Sequence, residues 1–100
     1  MIVKALAGVA HDLLKGARFY EQQEPGLGHE FRLSVLSDIS ALKRTGGIHG
    51  QLQGFHHVVC SRFDSYVIFY RVQDQTVIVK AVMDGRRDPM RQVRRLRRYR

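Results

Sequence analysis

Two stretches of helical periodicity meet at Glu24-Pro25-Gly26, and neither has an apolar face it can leave in water. In the first, Val9, Leu13, Ala17 and Tyr20 recur at i, i+4, i+8 and i+11, with Ala10 and Leu14 widening the stripe. Asp12, Lys15, Arg18 and Glu21 lie largely off it. The residue before a proline is pushed out of the helical region, so this helix ends at Glu24. Pro25-Gly26-Leu27-Gly28 reads as a turn. Phe31, Val35, Ile39 and Leu42 then repeat the same spacing, flanked by Leu27 and Leu36, until Thr45-Gly46-Gly47 ends the run. The pair is predicted to form an antiparallel helical hairpin, which needs a flat apolar partner to cover it.

The second half supplies that partner. His57-Val58-Val59-Cys60 begins a strand pattern, and Tyr66–Val72 and Thr76–Met83 are rich in β-branched and aromatic residues. Asp64-Ser65 and Gln73-Asp74-Gln75 read as hairpin turns, and Ile2–Leu6 as a short leading strand. The predicted fold is α+β: a short N-terminal strand, then an antiparallel two-helix hairpin packed on a small twisted antiparallel sheet, then a basic tail. The hairpin is expected to pack through Leu13, Ala17, Tyr20, Phe31, Val35 and Ile39 onto Val67, Phe69, Val77 and Val79.

A chain of 100 residues is one domain with one modest core. With 44% apolar and 26% charged residues it is neither disordered, collagen-like nor a coiled-coil rod. No apolar run is long enough for a membrane span, and no signal peptide is visible. The single Cys60 has no internal disulfide partner, which suits a reducing, cytoplasmic setting. The net charge of +8 is unevenly placed. From Arg86 onward there are eight arginines (86, 87, 91, 94, 95, 97, 98 and 100) against one acid, Asp88. The preceding 85 residues are nearly neutral, so one end of the molecule faces a polyanionic or acidic partner. Within that end, Met90, Val93 and Leu96 can line one side of a short helix, but the tail is expected to be dispensable for folding.

Catalytic motifs are absent: there is no nucleophile elbow, phosphate loop or dinucleotide fingerprint. His49, His56 and His57 are close in sequence, but neighbours on a strand point to opposite faces, and no Cys/His spacing suits zinc. Glu21 and Glu24 read as solvated acids.

Several segments nonetheless resemble one family. These are Ala10-His11-Asp12-Leu13-Leu14, Phe19-Tyr20 followed by Glu24-Pro25-Gly26-Leu27-Gly28 and Phe31, the strand Tyr66–Val72, and Val79–Pro89 with its Arg-Asp-Pro ending. In order and spacing they resemble the RelE/ParE superfamily of type II toxin–antitoxin toxins, closest to the ParE-like, plasmid-stabilisation branch. The resemblance spans roughly residues 7 to 89, so residues 1–89 are read as the toxin domain and 90–100 as an arginine-rich extension. Two departures stand out. Phe63-Asp64-Ser65-Tyr66 replaces a Phe-Pro-Tyr common in relatives, and Asp84 stands where a histidine is frequent.

The resemblance implies a bacterial cytoplasmic toxin held inactive by a cognate antitoxin, without metal or cofactor. ParE-like members poison DNA gyrase by binding; RelE-like members cut messenger RNA in the ribosome. For gyrase or antitoxin binding the candidates are Arg86, Arg91, Arg94, Arg95, Arg97 and Arg98, with Asp12, Tyr20, Phe31, Tyr70 and Arg87 structural, Arg87 through an ion pair with Asp88. The alternative is a ribosome-dependent endoribonuclease. It would need groups to move protons and stabilise a phosphorane, for which Arg62, Lys80, Arg86 and Arg87 are the candidates, with Tyr99 or a histidine as the proton carrier. A third reading is a basic nucleic-acid-binding module, for which the neutral body offers no extended groove.

Overall fold

The computed structural model describes residues 1–86 and 89–99. The elements follow in the order β1 (Ile2–Ala5), α1 (Ala7–Gln23), α2 (Leu27–Thr45), β2 (Gln51–Leu52), β3 (Phe55–Val59), β4 (Tyr66–Gln73), β5 (Thr76–Asp84) and α3 (Pro89–Arg97). The sheet has five strands in the order β1-β5-β4-β3-β2. It is mixed: β1 runs parallel to β5, pairing Ile2 with Thr76 through Ala5 with Val79, and the other neighbours are antiparallel.

The break between the helices is made by glycine and by Glu21. Gly26 adopts φ +89°, which glycine accepts without strain. Glu21 is no free acid; its carboxylate accepts hydrogen bonds from the amides of Gly26 and Gly28, at 3.0 to 3.1 Å, where α2 would otherwise begin with orphan donors. The helices approach closely at Gly16, where an added Cβ would sit 2.5 Å from the Phe31 ring. Their shared face buries Val9, Leu13, Ala17, Phe31, Val35, Ile39 and Leu42. Leu14 and Leu36, counted with the apolar stripes, remain 44% and 45% exposed on the outer side of the hairpin.

The helices do not rest on Val67 and Phe69. They rest on Tyr66, Ile68, Tyr70, Val77, Val79 and Val82, while Val67 and Phe69 face the other side of the sheet with Phe55, Ala81 and Met83. The reason lies in the turn. Only Asp74 and Gln75 separate β4 from β5, both at positive φ as a tight hairpin connection requires. Val72 then pairs with Val77 and Tyr70 with Val79, so even residues of β4 share a face with odd residues of β5. The register shifts once, between Phe69 and Tyr70: Phe69 meets Ala81, and Lys80 is the extra residue of a bulge. Beyond it the faces of β5 exchange, which brings Val82 to the helices and Ala81 and Met83 to the opposite side.

That opposite side carries a second apolar cluster. Leu96 of α3 is fully buried among Phe55, Phe69, Ala81 and Met83, with Tyr99 packed beside it. The last helix thus closes the sheet from behind, and the expectation of a tail dispensable for folding does not fit this packing. Arg87 and its expected ion pair with Asp88 lie outside the described residues.

Candidate functional site

The basic residues converge where α1, the end of β5 and α3 meet. At the centre is Asp12, 6% exposed. One of its oxygens accepts the Val82 amide at 2.9 Å, and both are gripped by the Arg95 guanidinium at 2.7 Å. A two-pronged arginine–carboxylate bond of this length is among the strongest side-chain interactions. Burial works against the charge of Arg95, but its hydrogen bonds to Asp12 and Tyr99 outweigh this and hold its pKa above the ordinary arginine value. Arg95 was expected on the binding surface; it turns inward instead and ties α3 to α1. Gln92 adds a second tie, donating from Nε2 to the Asp84 carbonyl at 2.9 Å.

Around this anchor the other arginines separate. Arg91, Arg94, Arg97 and Arg98 are exposed, and none of their side chains has a hydrogen bond or ion pair among the described residues. Arg86 is exposed too, yet it is engaged. Its guanidinium spans both oxygens of Asp84 at 3.0 and 3.1 Å and lies 5.3 Å over the Phe19 ring. The hydrogen bond to Asp84 holds its pKa above the ordinary arginine value. A cleft of about 440 Å³ opens between α1 and α3, floored by Val82, Met83 and Asp84. Lys15, Phe19, Arg91 and Arg98 are on its walls.

The nuclease candidates are dispersed over this frame. Arg62 is held by Glu30 at 2.8 Å and packs over Phe63. Lys80 is the bulge residue of β5. Tyr99 accepts a 3.4 Å hydrogen bond from Arg95 Nε. His49, His56 and His57 gather beside Tyr70, further along β4 from Arg86, whereas His11 and His29 lie on α1 and α2. His49 Nδ1 bonds the Tyr70 hydroxyl, which also accepts the Gly47 amide at 3.0 Å. His56 stacks on the Tyr70 ring and bonds the His49 carbonyl at 2.6 Å. This cluster pins the loop after α2 to the sheet. The structural candidates Tyr20 and Phe31 pack in one aromatic group with Phe63 and Tyr66. Cys60 is fully enclosed, and burial, followed by the charge of Asp38, pushes its pKa up to about 12, far from a reactive thiolate. Among the described residues no three His, Cys, Asp or Glu side chains gather as a metal site, and no helix is long and apolar enough to cross a membrane.

No protein-family profile matches the sequence, and no curated protein matches it. The architecture does match a solved structure. A chain of the chromosomal ParDE toxin–antitoxin system from P. aeruginosa superimposes with a TM-score of 0.74 over 84% of this chain and 95% of that one, at 13% identity.

The fold is ParE-like.

Sequence reasoning reached this ParE-like fold but missed three of its working parts. Gln92 went unremarked, since a lone glutamine in an arginine-rich helix carries no signal. Phe19 carries the family resemblance, and nothing in its sequence context shows that its ring is exposed. The second apolar cluster was visible in principle: Tyr66–Tyr70 is apolar at every position, the pattern of a strand covered on both faces.

Proposed function

We propose that this chain is the toxin of a type II toxin–antitoxin pair, acting in the bacterial cytoplasm. In this reading it arrests growth by binding DNA gyrase and is neutralised by a cognate antitoxin. The observation that carries the reading is the ParE-like fold, shared over 95% of a chain from a ParDE system. The distribution of charge supports it. Arg91, Arg94, Arg97 and Arg98 form an exposed basic end on a nearly neutral body, suited to an acidic antitoxin segment or to the gyrase surface, with Arg86 beside them already paired to Asp84.

The chemistry favours binding over cleavage. Two of the cations a nuclease would need, Arg62 and Arg86, are already neutralised by Glu30 and Asp84. Of the histidines, His49 and His56 are engaged around Tyr70, further along β4.

The test is induction of the chain in a bacterial host, with and without the adjacent reading frame, followed by gyrase supercoiling and translation-coupled mRNA cleavage assays on the same preparation. Growth arrest, loss of supercoiling and intact mRNA are expected. Arrest with cut mRNA and normal supercoiling transfers the proposal to the ribonuclease reading. A chain harmless on its own, with no neighbouring product bound to it, overturns the toxin role.

A further inference from the structure

The cleft between α1 and α3 holds more positive charge than the fold uses. Of the cations on its walls only Arg95 is spent internally, on Asp12. Lys15, Arg91 and Arg98 are exposed, and their side chains have no hydrogen bond or ion pair among the described residues. Arg91 stands in the first turn of α3 and Arg98 in the turn just past its end, and both line the cleft. Lys15 faces them from α1, and one turn further on stands Phe19, a large ring 41% exposed at the cleft with the Arg86 guanidinium over one face. Both acids of the cleft, Asp12 and Asp84, are already neutralised by arginine. The site is therefore built for anions beside a flat apolar surface.

The floor decides which anion. It is the margin of β5 beyond the reach of β1, which pairs only as far as Val79. An extended acidic peptide would bind such a margin by adding a strand. Here that margin is occupied: Asp12 takes the Val82 amide, and Gln92 takes the Asp84 carbonyl. A ligand must bind through its own charges and through a ring. Single-stranded nucleic acid does this, with phosphates on cations and bases on aromatic faces. A base can lay its face on the Phe19 ring only when it is unpaired and unstacked, which favours a single strand over a duplex.

We propose that this cleft binds a single-stranded nucleic-acid segment, with phosphates held by Lys15, Arg91 and Arg98 and one base against Phe19. The inference goes beyond the toxin reading and does not depend on it, because its test has no growth readout.

The experiment measures fluorescence anisotropy of fluorescein-labelled dT12 and U12 with the full chain, from 50 to 200 mM KCl. Three phosphate contacts give a log–log salt slope of about −2, so affinity falls about twenty-fold across that range. The proposed contacts are to phosphates and one base face, so the two oligonucleotides should bind alike. Arg91→Ala and Arg98→Ala should each flatten the slope by about 0.7. Phe19→Ala should weaken binding about ten-fold with the slope unchanged, and Phe19→Leu, which keeps apolar bulk, should do the same. The Lys43→Ala/Arg44→Ala double variant removes two charges at the end of α2, as many as the two cleft variants together, and should change affinity less than two-fold. Thermal melts establish that each variant is folded. The proposal is overturned by any of four results: no binding at 50 mM KCl, equal loss in the Lys43/Arg44 variant, indifference to Phe19→Leu, or displacement of dT12 by decaglutamate as readily as by unlabelled dT12.

Discussion

Asp12 shows how much one side chain can organise. It satisfies a backbone amide of β5 and neutralises an arginine of α3 while sitting inside α1. Removing its partner strands a buried charge, so Arg95→Ala should cost about 3–5 kcal/mol in urea unfolding. The Asp12→Ala/Arg95→Ala double variant should lose less than the sum of the singles. Gly16 offers the opposite lesson. Alanine is normally the better helix residue, but here its methyl would overlap the Phe31 ring. Gly16→Ala should therefore lower stability by about 1–3 kcal/mol, visible as a lower thermal midpoint. His49 provides the pH dependence. Its pKa is lowered from 6.5 by partial burial and by the charges of His56 and His57. The unfolded chain therefore binds that proton first. Stability from this residue is intact above pH 6.5 and falls as the pH drops through 6.5 towards the lower folded value. Urea midpoints at pH 7.5 and 5.0 should differ less in His49→Asn than in the parent. None of these roles is legible from residue type: the sequence places Asp12 off the apolar stripe, where an exposed acid would also stand.

Among the elements, the helical hairpin was legible because period, proline and glycine agree on its boundaries. The sheet was legible as strands but not in phase. Assigning three residues to the β4–β5 turn instead of two reverses which side of β4 meets the helices, and Val67 and Phe69 change places with Ile68 and Tyr70. The bulge at Lys80 has no sequence signature at all. The last helix was misjudged for a related reason. Its charge suggested a solvated tail, whereas one residue, Leu96, fills the second cluster. Leu96→Ala should cost about 2–5 kcal/mol, and a chain ending at Pro89 should lose cooperative unfolding in a chemical denaturation series. A full-strength transition in the shortened chain would return α3 to the role of an appendage.

At the scale of the whole molecule, the sheet joins two apolar layers, helices before it and α3 behind it. The basic end gathers where those layers meet the margin of β5. The pairing of β1 has a consequence for how this chain is made. Its hydrogen-bonding partner is β5, Ile2 against Thr76 and Ala5 against Val79. Translation at ~5–20 residues per second leaves that first strand waiting roughly 4–15 s before its partner exists. During that interval it is an open template for other nascent chains. Its brevity, four residues, and the lysine at position 4 are the features that keep such a strand from recruiting a stranger.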